Sequence, residues 1–322
     1  MDYSWKQNLD TSLLYLGPRS VPCRSRHTTR CTNLTNSVES SDKDAARVLD
    51  PKTERPTSET IVALDTEFVA VRQPEIEVNS DGERETIRPI VYALARVSVI
   101  RGQGEDEGIP FIDDYVAVKE PIVDYLTSYS GITRADLDPR LSKRNLVSLK
   151  TAYKKIWILL NSGCRILGHG LKQDFRVINI HVPRAQVVDT IDLFFLRSRL
   201  RRLSLAFLAW CLLKEDIQLE THDSIEDART ALGLYRKFLE FQDAGILETM
   251  LQDIYRRGRE VNFKPPRKEG TESTSTGAGA ETPPLPEGAG GPPKTPVKGS
   301  SGVGFGGRSG WTPGKGSSSP FR

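Results

Sequence analysis

Ile61-Val62-Ala63-Leu64-Asp65-Thr66-Glu67-Phe68-Val69 is the stretch on which the fold turns. Its aliphatic run reads as a strand, and order in the chain begins there. The run enters two acids spaced two apart. A strand has a side-chain period of two, so Asp65 and Glu67 point to the same face. Two carboxylates so placed repel each other unless a cation stands between them. Asp-x-Glu is a common pattern, and taken alone it reads equally as an exposed acidic pair at a strand end.

Downstream, Pro89–Ile100 carries Val91, Ala93, Ala95, Val97 and Val99 and reads as a second strand ending at Arg101-Gly102. Phe111–Val118 offers a third strand, and the charged Glu75–Arg88 stretch reads as a solvated turn or insertion. Leu146–Leu160 places Leu149, Tyr153, Ile156, Trp157 and Leu160 at helical spacing, and Asn161-Ser162-Gly163 ends it. Arg165-Ile166-Leu167 is then a short buried strand running into Gly168-His169-Gly170, with a helix over Leu171–Ile178 and a strand over Gln186–Asp189. Leu203–Leu213 predicts an apolar helix, and Ser224–Phe241 the last long one. Consecutive strands followed by alternating helices and strands predict an α/β fold with a mixed central sheet flanked by helices.

Composition sets the limits of that fold. From Gly270 to Arg322 the chain holds 14 of its 26 Gly and 8 of its 20 Pro, so residues 267–322 read as a disordered tail. Residues 1–58 are polar apart from Leu13-Leu14-Tyr15-Leu16 and read as linker-like and mostly disordered. The folded domain is expected over 59–266. No apolar run approaches the roughly 18 residues of a membrane span, and the first thirty residues lack the apolar core of a secretory signal. Four cysteines are too few for a disulfide scaffold, and the Cys23, His27, Cys31 spacing fits no common zinc pattern. A reducing, cytoplasmic setting with no membrane is expected. The net charge is +3, but both flanks are basic, which leaves 59–257 slightly acidic at about −3. Such a domain holds a polyanion only through bound cations or a local basic groove.

Three further residues extend the acidic pair. Asp174 follows Gly168-His169-Gly170 at the start of a helix, where the dipole favours a carboxylate in any case. His222 and Asp227 flank the entry of the last helix, where Ser224 and Asp227 also fit a capping box with Ser224 as the cap. Together, four carboxylates and one histidine match the needs of two-metal phosphodiester hydrolysis. Hard Mg²⁺ ions, or Mn²⁺, take oxygen ligands, and an imidazole removes a proton from water near neutral pH.

The segments Ala63–Val69, Asp124–Ile132, Gly168–Ile180 and Thr221–Leu232 resemble 3′→5′ exonucleases of the DEDD superfamily, the subgroup with a catalytic histidine. More narrowly, Val177-Ile178-Asn179-Ile180 and Thr221–Arg229 are similar to the nuclease domain of poly(A)-nuclease (PAN) deadenylase catalytic subunits. The resemblance covers about Glu59 to Pro266, with a fainter match at Ser4–Leu16. It implies a ribonuclease H-like fold and two divalent metal ions held by Asp65, Glu67, Asp174 and Asp227. Asp65 would bridge both ions, and His222 would activate the attacking water. It further implies poly(A) RNA as substrate, AMP as product, and contacts to the last nucleotides from Tyr129, Ser130, Ile132 and Leu171. The complex's regulatory subunit and poly(A)-binding protein are the implied partners, with P-body association. Family members also carry a β-propeller and a ubiquitin-hydrolase-like domain through which the regulatory subunit mainly binds, and the sequence before Ile61 is too short for either. Two other readings use the same residues: a Rex-type exonuclease trimming other RNA 3′ ends, and a non-catalytic RNA-binding or interaction module.

Overall fold

The computed structural model describes residues 11–15 and 45–266. The expected tail and the Cys23, His27, Cys31 grouping lie outside these residues. Eight strands run in chain order: β1 (Ile61–Arg72), β2 (Glu75–Val78), β3 (Arg84–Arg88), β4 (Val91–Arg101), β5 (Pro110–Ala117), β6 (Leu146–Ser148), β7 (Arg165–Gly168) and β8 (Val187–Asp189). Six of them form one sheet in the order β6-β5-β4-β1-β7-β8. The β1–β4 and β4–β5 pairs are antiparallel, and the β5–β6, β1–β7 and β7–β8 pairs are parallel. This is the mixed sheet expected.

Among the described residues, eight α-helices accompany it: α1 (Thr127–Ser130), α2 (Arg134–Leu137), α3 (Leu149–Asn161), α4 (Leu171–Val177), α5 (Thr190–Leu193), α6 (Leu205–Leu208), α7 (Ser224–Asp243) and α8 (Leu247–Glu260). Side chains alternate between the two covered faces of β1. Val62 and Leu64 pack with Ile156, Leu159, Leu171 and Phe175 of α3 and α4, while Ala63 packs with Ile225, Ala228 and Leu232 of α7. A strand covered on both sides needs apolar residues at every position, hence the unbroken Ile61–Leu64 run. No helix among the described residues is long and apolar enough to cross a membrane.

Several expectations are corrected. Residues 146–148 are strand, and α3 begins only at Leu149, capped by the Ser148 hydroxyl, which accepts from Thr151 N at 3.1 Å. The helix turns accordingly: Leu149 and Trp157 face outward, and Ala152, Ile156, Leu159 and Lys155 face in. Lys155 is buried because its Nζ lies 2.7 Å from Asp114 Oδ2. Glu75–Arg88 is a solvated insertion as expected, and it is built as the exposed β2–β3 hairpin. The Leu203–Leu213 helix is two pieces, α6 followed by a π-turn over Ala209–Leu213. The last long helix is α8, not α7. Its sequence is strongly charged, yet Leu251, Ile254, Tyr255 and Gly258 recur on one buried face.

The described part of residues 1–58 is also packed rather than linker-like. Leu14, in a 3₁₀ turn over Thr11–Leu14, and Leu49 are buried in the same cluster as α3. Arg101 fastens the second segment, its Nη2 donating to Glu54 Oε2 at 3.0 Å and to the carbonyls of Arg47 and Val48.

Candidate active site

The acids assemble where β7 stops and β1 continues. β7 pairs with β1 only over Ile61–Ala63 and ends at Gly168. A Cβ on Gly168 would stand 2.8 Å from the Leu64 carbonyl oxygen, so only glycine lets the chain turn this close to β1. Past that turn, Asp65 and Glu67 lie on the α7 face of β1, the side from which Asp227 approaches. Thr66 faces the opposite way, toward α4, and its hydroxyl donates to Asp174 Oδ1.

Electrostatics show how closely the four acids crowd. Burial pushes the Asp65 carboxyl well above its ordinary value, and the charges of Asp174, Glu67 and Asp227 push it further. Burial, then Asp227, raises Glu67 to about 9, against the pull of Arg96. Burial raises Asp174 to about 6 although the Thr66 hydroxyl favours its charged form. Glu67 Oε1 is buried with no hydrogen-bond partner, an orphan acceptor among acids. A cation is the group that would satisfy it and relieve the mutual repulsion. The donor set is all carboxylate oxygen and suits a hard divalent ion.

Among the described residues, no three His, Cys, Asp or Glu side chains are already closed into a metal cage. Two of the acids are turned to uncharged donors instead. Asp174 accepts from the Thr66 hydroxyl, and Asp227 accepts from the Gln218 amide, whose Nε2 lies 3.0 Å from Oδ1 and 2.8 Å from Oδ2. The structure thus brings the acids into one neighbourhood without wrapping them around a point. Asp65, Glu67, Asp174 and Asp227 fit the role of metal ligands by chemistry and proximity.

His222 joins them. Its Nδ1 lies 3.4 Å from Asp227 Oδ2, and its ring meets the Tyr129 ring edge-on at 6.5 Å. The α1 loop supports it from below: a Cβ on Gly131, which sits at φ 62°, would come within 2.5 Å of the His222 carbonyl oxygen.

The capping box is corrected. Asp223, not Ser224, caps α7, its Oδ1 accepting from Ile225 N at 2.9 Å and Glu226 N at 3.2 Å. Ser224 is buried and spends its hydroxyl on Ser98, 2.6 Å away, which leaves Asp227 free for the site. The substrate contacts separate as well. Tyr129 is exposed, whereas Ser130, Ile132 and Leu171 are buried. The Ser130 hydroxyl donates to the Tyr125 carbonyl, Ile132 packs with Val69 and Tyr115, and Leu171 lies over Gly168. These three side chains are packed inside the fold, and Tyr129 alone of the four presents a face to solvent.

Arg96, Thr66, Gln218 and Asp223 were not among the residues singled out from the sequence. Arg96 faces Glu67 across the β1–β4 pair. It donates to Asp113 Oδ1 at 2.7 Å and to Asp223 Oδ2 at 3.0 Å and lies over the Tyr115 ring at 5.0 Å. Burial works against its charge, but Asp113 and Asp223 hold it protonated. An arginine in the middle of the apolar β4 run was the one available signal, because a buried charge requires partners.

The chain is similar to several known proteins. The catalytic subunit PAN2 of the PAN2-PAN3 deadenylation complex from Chaetomium thermophilum is 69% identical over 268 residues, 83% of this chain and 21% of that protein. The solved Neurospora crassa Pan2 catalytic unit (protease and nuclease domain) superposes with a TM-score of 0.61 at 49% identity, covering 77% of this chain and 34% of that one. The Saccharomyces cerevisiae Pan2 pseudoubiquitin hydrolase-RNA exonuclease module, solved with A7 RNA, gives 0.62 at 45% identity, covering 69% and 35%. The chain spans about a fifth of the length of the curated relatives it matches. The RNase T exonuclease family model matches residues 62–235, a span that starts within β1 and ends within α7 and so encloses all four acids and the histidine. Enzymes of that family work with divalent metal ions, the group the orphaned Glu67 oxygen and its crowded neighbours require, and this chain belongs to that exonuclease family.

Proposed function

We propose that the chain is a poly(A)-specific 3′→5′ exoribonuclease that shortens adenylated RNA and releases AMP. The observation that carries this reading is the gathering of Asp65, Glu67, Asp174, Asp227 and His222 at the end of β7, in a chain with 69% identity to a deadenylation catalytic subunit. The four carboxylates would hold two divalent ions, Mg²⁺ or Mn²⁺. Bound there, such ions offset charge on the attacking and leaving oxygens of the phosphodiester.

The remaining steps belong to the protein. With Nδ1 beside Asp227, Nε2 of His222 is the nitrogen left to accept the proton of water. Asp227 stabilises the imidazolium that results, and Tyr129 and Gly131 fix where the ring stands. Tyr129 also offers an exposed ring for a terminal base, a contact worth about 1–3 kcal/mol. The slightly acidic domain repels phosphate without cations, so poly(A) binding in chelator should be weak. A regulatory subunit of the PAN type and poly(A)-binding protein are proposed as partners, and a messenger-RNA tail as substrate sets the activity in the cytoplasm.

The test is digestion of a 3′-adenylated RNA and an equally long mixed-sequence RNA by the purified chain with Mg²⁺, with the released nucleotide identified. AMP release that favours the adenylated RNA and is abolished in Asp65→Asn supports the proposal. Equal rates on both RNAs would turn the assignment to a general 3′-end trimming enzyme. No hydrolysis by metal-loaded protein would leave a binding module.

A further inference from the structure

The loop between α5 and α6 reads Leu196-Arg197-Ser198-Arg199-Leu200-Arg201-Arg202-Leu203. Its four arginines are exposed, and among the described residues none has a carboxylate partner. Arg201 lies over the Phe263 ring at 4.1 Å and Arg202 over Phe195 at 6.0 Å, so aromatic rings hold these side chains while their charges stay unneutralised. Leu200, at φ 50°, is 85% exposed between them.

The loop is held at its neck. The Leu196 amide donates to the Tyr255 hydroxyl at 3.1 Å, and that hydroxyl donates to the Arg201 carbonyl. Its far end, Leu203, is buried, and the Leu203 backbone meets His169 in the turn that leads to Asp174. Because β1, β7 and β8 are parallel, the segments that follow β7 and β8 leave the same end of the sheet, the end that carries the acids. An unpaired basic loop therefore stands beside an acidic site, in a domain whose overall charge does not attract a polyanion.

We infer that Arg197, Arg199, Arg201 and Arg202 bind the phosphate backbone of single-stranded RNA upstream of the 3′ end held at the acidic site. Guanidinium forks match phosphate oxygens, and the exposed Leu200 offers a face for a base without sequence preference. The inference rests on the proposed exonuclease reading and adds a tract-holding surface to it. On this reading a long strand gains the contact with the loop and a strand of a few nucleotides, held at the acidic site alone, does not.

The experiment compares hydrolysis of tetra-adenylate and of a 20-nucleotide oligoadenylate by wild type, by Arg197→Ser/Arg199→Ser, and by the variant with all four arginines changed to serine. The double variant leaves both aromatic stacks intact and guards against a folding defect. For the 20-mer, KM should rise about tenfold or more in the quadruple variant and severalfold in the double one, with kcat unchanged. Tetra-adenylate kinetics should not change. The log–log salt slope of 20-mer binding should shrink by about 3 in the quadruple variant, at about 0.7 per phosphate contact on single strands. A KM for the 20-mer within twofold of wild type in both variants overturns the inference and leaves the loop to a protein partner. If wild type hydrolyses neither RNA, the exonuclease reading fails, and anisotropy with a labelled 20-mer still decides: binding weakened tenfold in the quadruple variant supports the loop's role, and equal binding refutes it.

Discussion

Arg96 Nη1 stands 3.0 Å from Asp223 Oδ2, which ties the middle of the sheet to the cap of the helix that carries Asp227. The same guanidinium holds Asp113 through Nε at 2.7 Å, and its strand partner is Glu67. One planar group therefore ties β5 to the cap of the helix that carries Asp227, beside Glu67 in the sheet.

Lysine keeps the charge but cannot bridge both carboxylates with a fixed fork. Arg96→Lys is expected to lower kcat by about 10²-fold, the scale of a misplacement of about 1 Å in a catalytic group. KM for RNA and the melting temperature should stay near wild type. Steady-state kinetics with a thermal melt check this, and an unaltered kcat would show that the bridge does not position the site. Arg96→Met leaves Asp113 without its cationic partner and should destabilise the fold by about 3 kcal/mol, the lower end for breaking one half of a buried pair.

Metal-free protein should lose stability as pH rises. Glu67 and Asp174 hold protons in the folded chain up to about 9 and about 6, against ordinary values of 4.5 and 3.8. Above the ordinary values the unfolded chain has already released those protons, and the folded chain must either keep them or crowd its charges. The stabilisation is whole below about pH 4 and is lost progressively through pH 6 for Asp174 and pH 9 for Glu67. In EDTA, melting temperatures should therefore fall between pH 5 and pH 9, and excess Mg²⁺ should flatten the fall. Glu67→Gln should gain on wild type across that window, with the gap levelling near the upper end. A chelated protein whose stability does not fall over that range would show that the acids do not share one crowded site.

Much of this site was legible in the sequence because its logic is local. The Ile61–Leu64 run entering Asp65-x-Glu67 announces a strand with two acids on one face, and Gly168-His169-Gly170 is a place where the chain can approach other backbone or substrate closely. The supporting residues were not legible, because each acts across a long sequence distance. Thr66 meets Asp174 from 108 residues away and Arg96 meets Asp223 from 127. The cap of α7 was misassigned for a related reason. Ser224 and Asp223 are both good caps by local chemistry, and the choice was made by Ser98 on a distant strand, which draws the Ser224 hydroxyl into the sheet. Helix α8 is hard to read from sequence because its charge content hides an apolar spacing, although its Tyr255 clamps the arginine loop.

Gly131 gives a prediction about the histidine. A methyl group there would meet the His222 carbonyl oxygen at 2.5 Å, and φ 62° is unfavourable for alanine. Gly131→Ala should displace the His222 backbone and lower kcat at least tenfold, with a stability loss of about 1–2 kcal/mol. Kinetics at several pH values would separate displacement from unfolding, since a displaced base alters the acidic limb of the rate profile even when the protein is fully folded. Wild-type kcat in this variant would mean that the imidazole is held by Tyr129 and Asp227 alone.

The last prediction concerns the amide that occupies Asp227. Gln218 donates to both of its carboxylate oxygens from a loop position with φ 55°, so a ligand taken up by Asp227 must compete with that contact. Removing the amide by Gln218→Ala leaves Asp227 with more lone pairs available and its repulsion from Glu67 less offset. Both effects favour a divalent ion, and binding of Mn²⁺ measured by calorimetry should tighten about three- to tenfold, corresponding to the roughly 1 kcal/mol net worth of a hydrogen bond. The same substitution should lower the melting temperature in EDTA, because the crowded acids then lose a hydrogen-bond donor. If metal affinity instead weakens, Gln218 orients Asp227 for the ion rather than competing with it, and the contact would be part of the binding geometry.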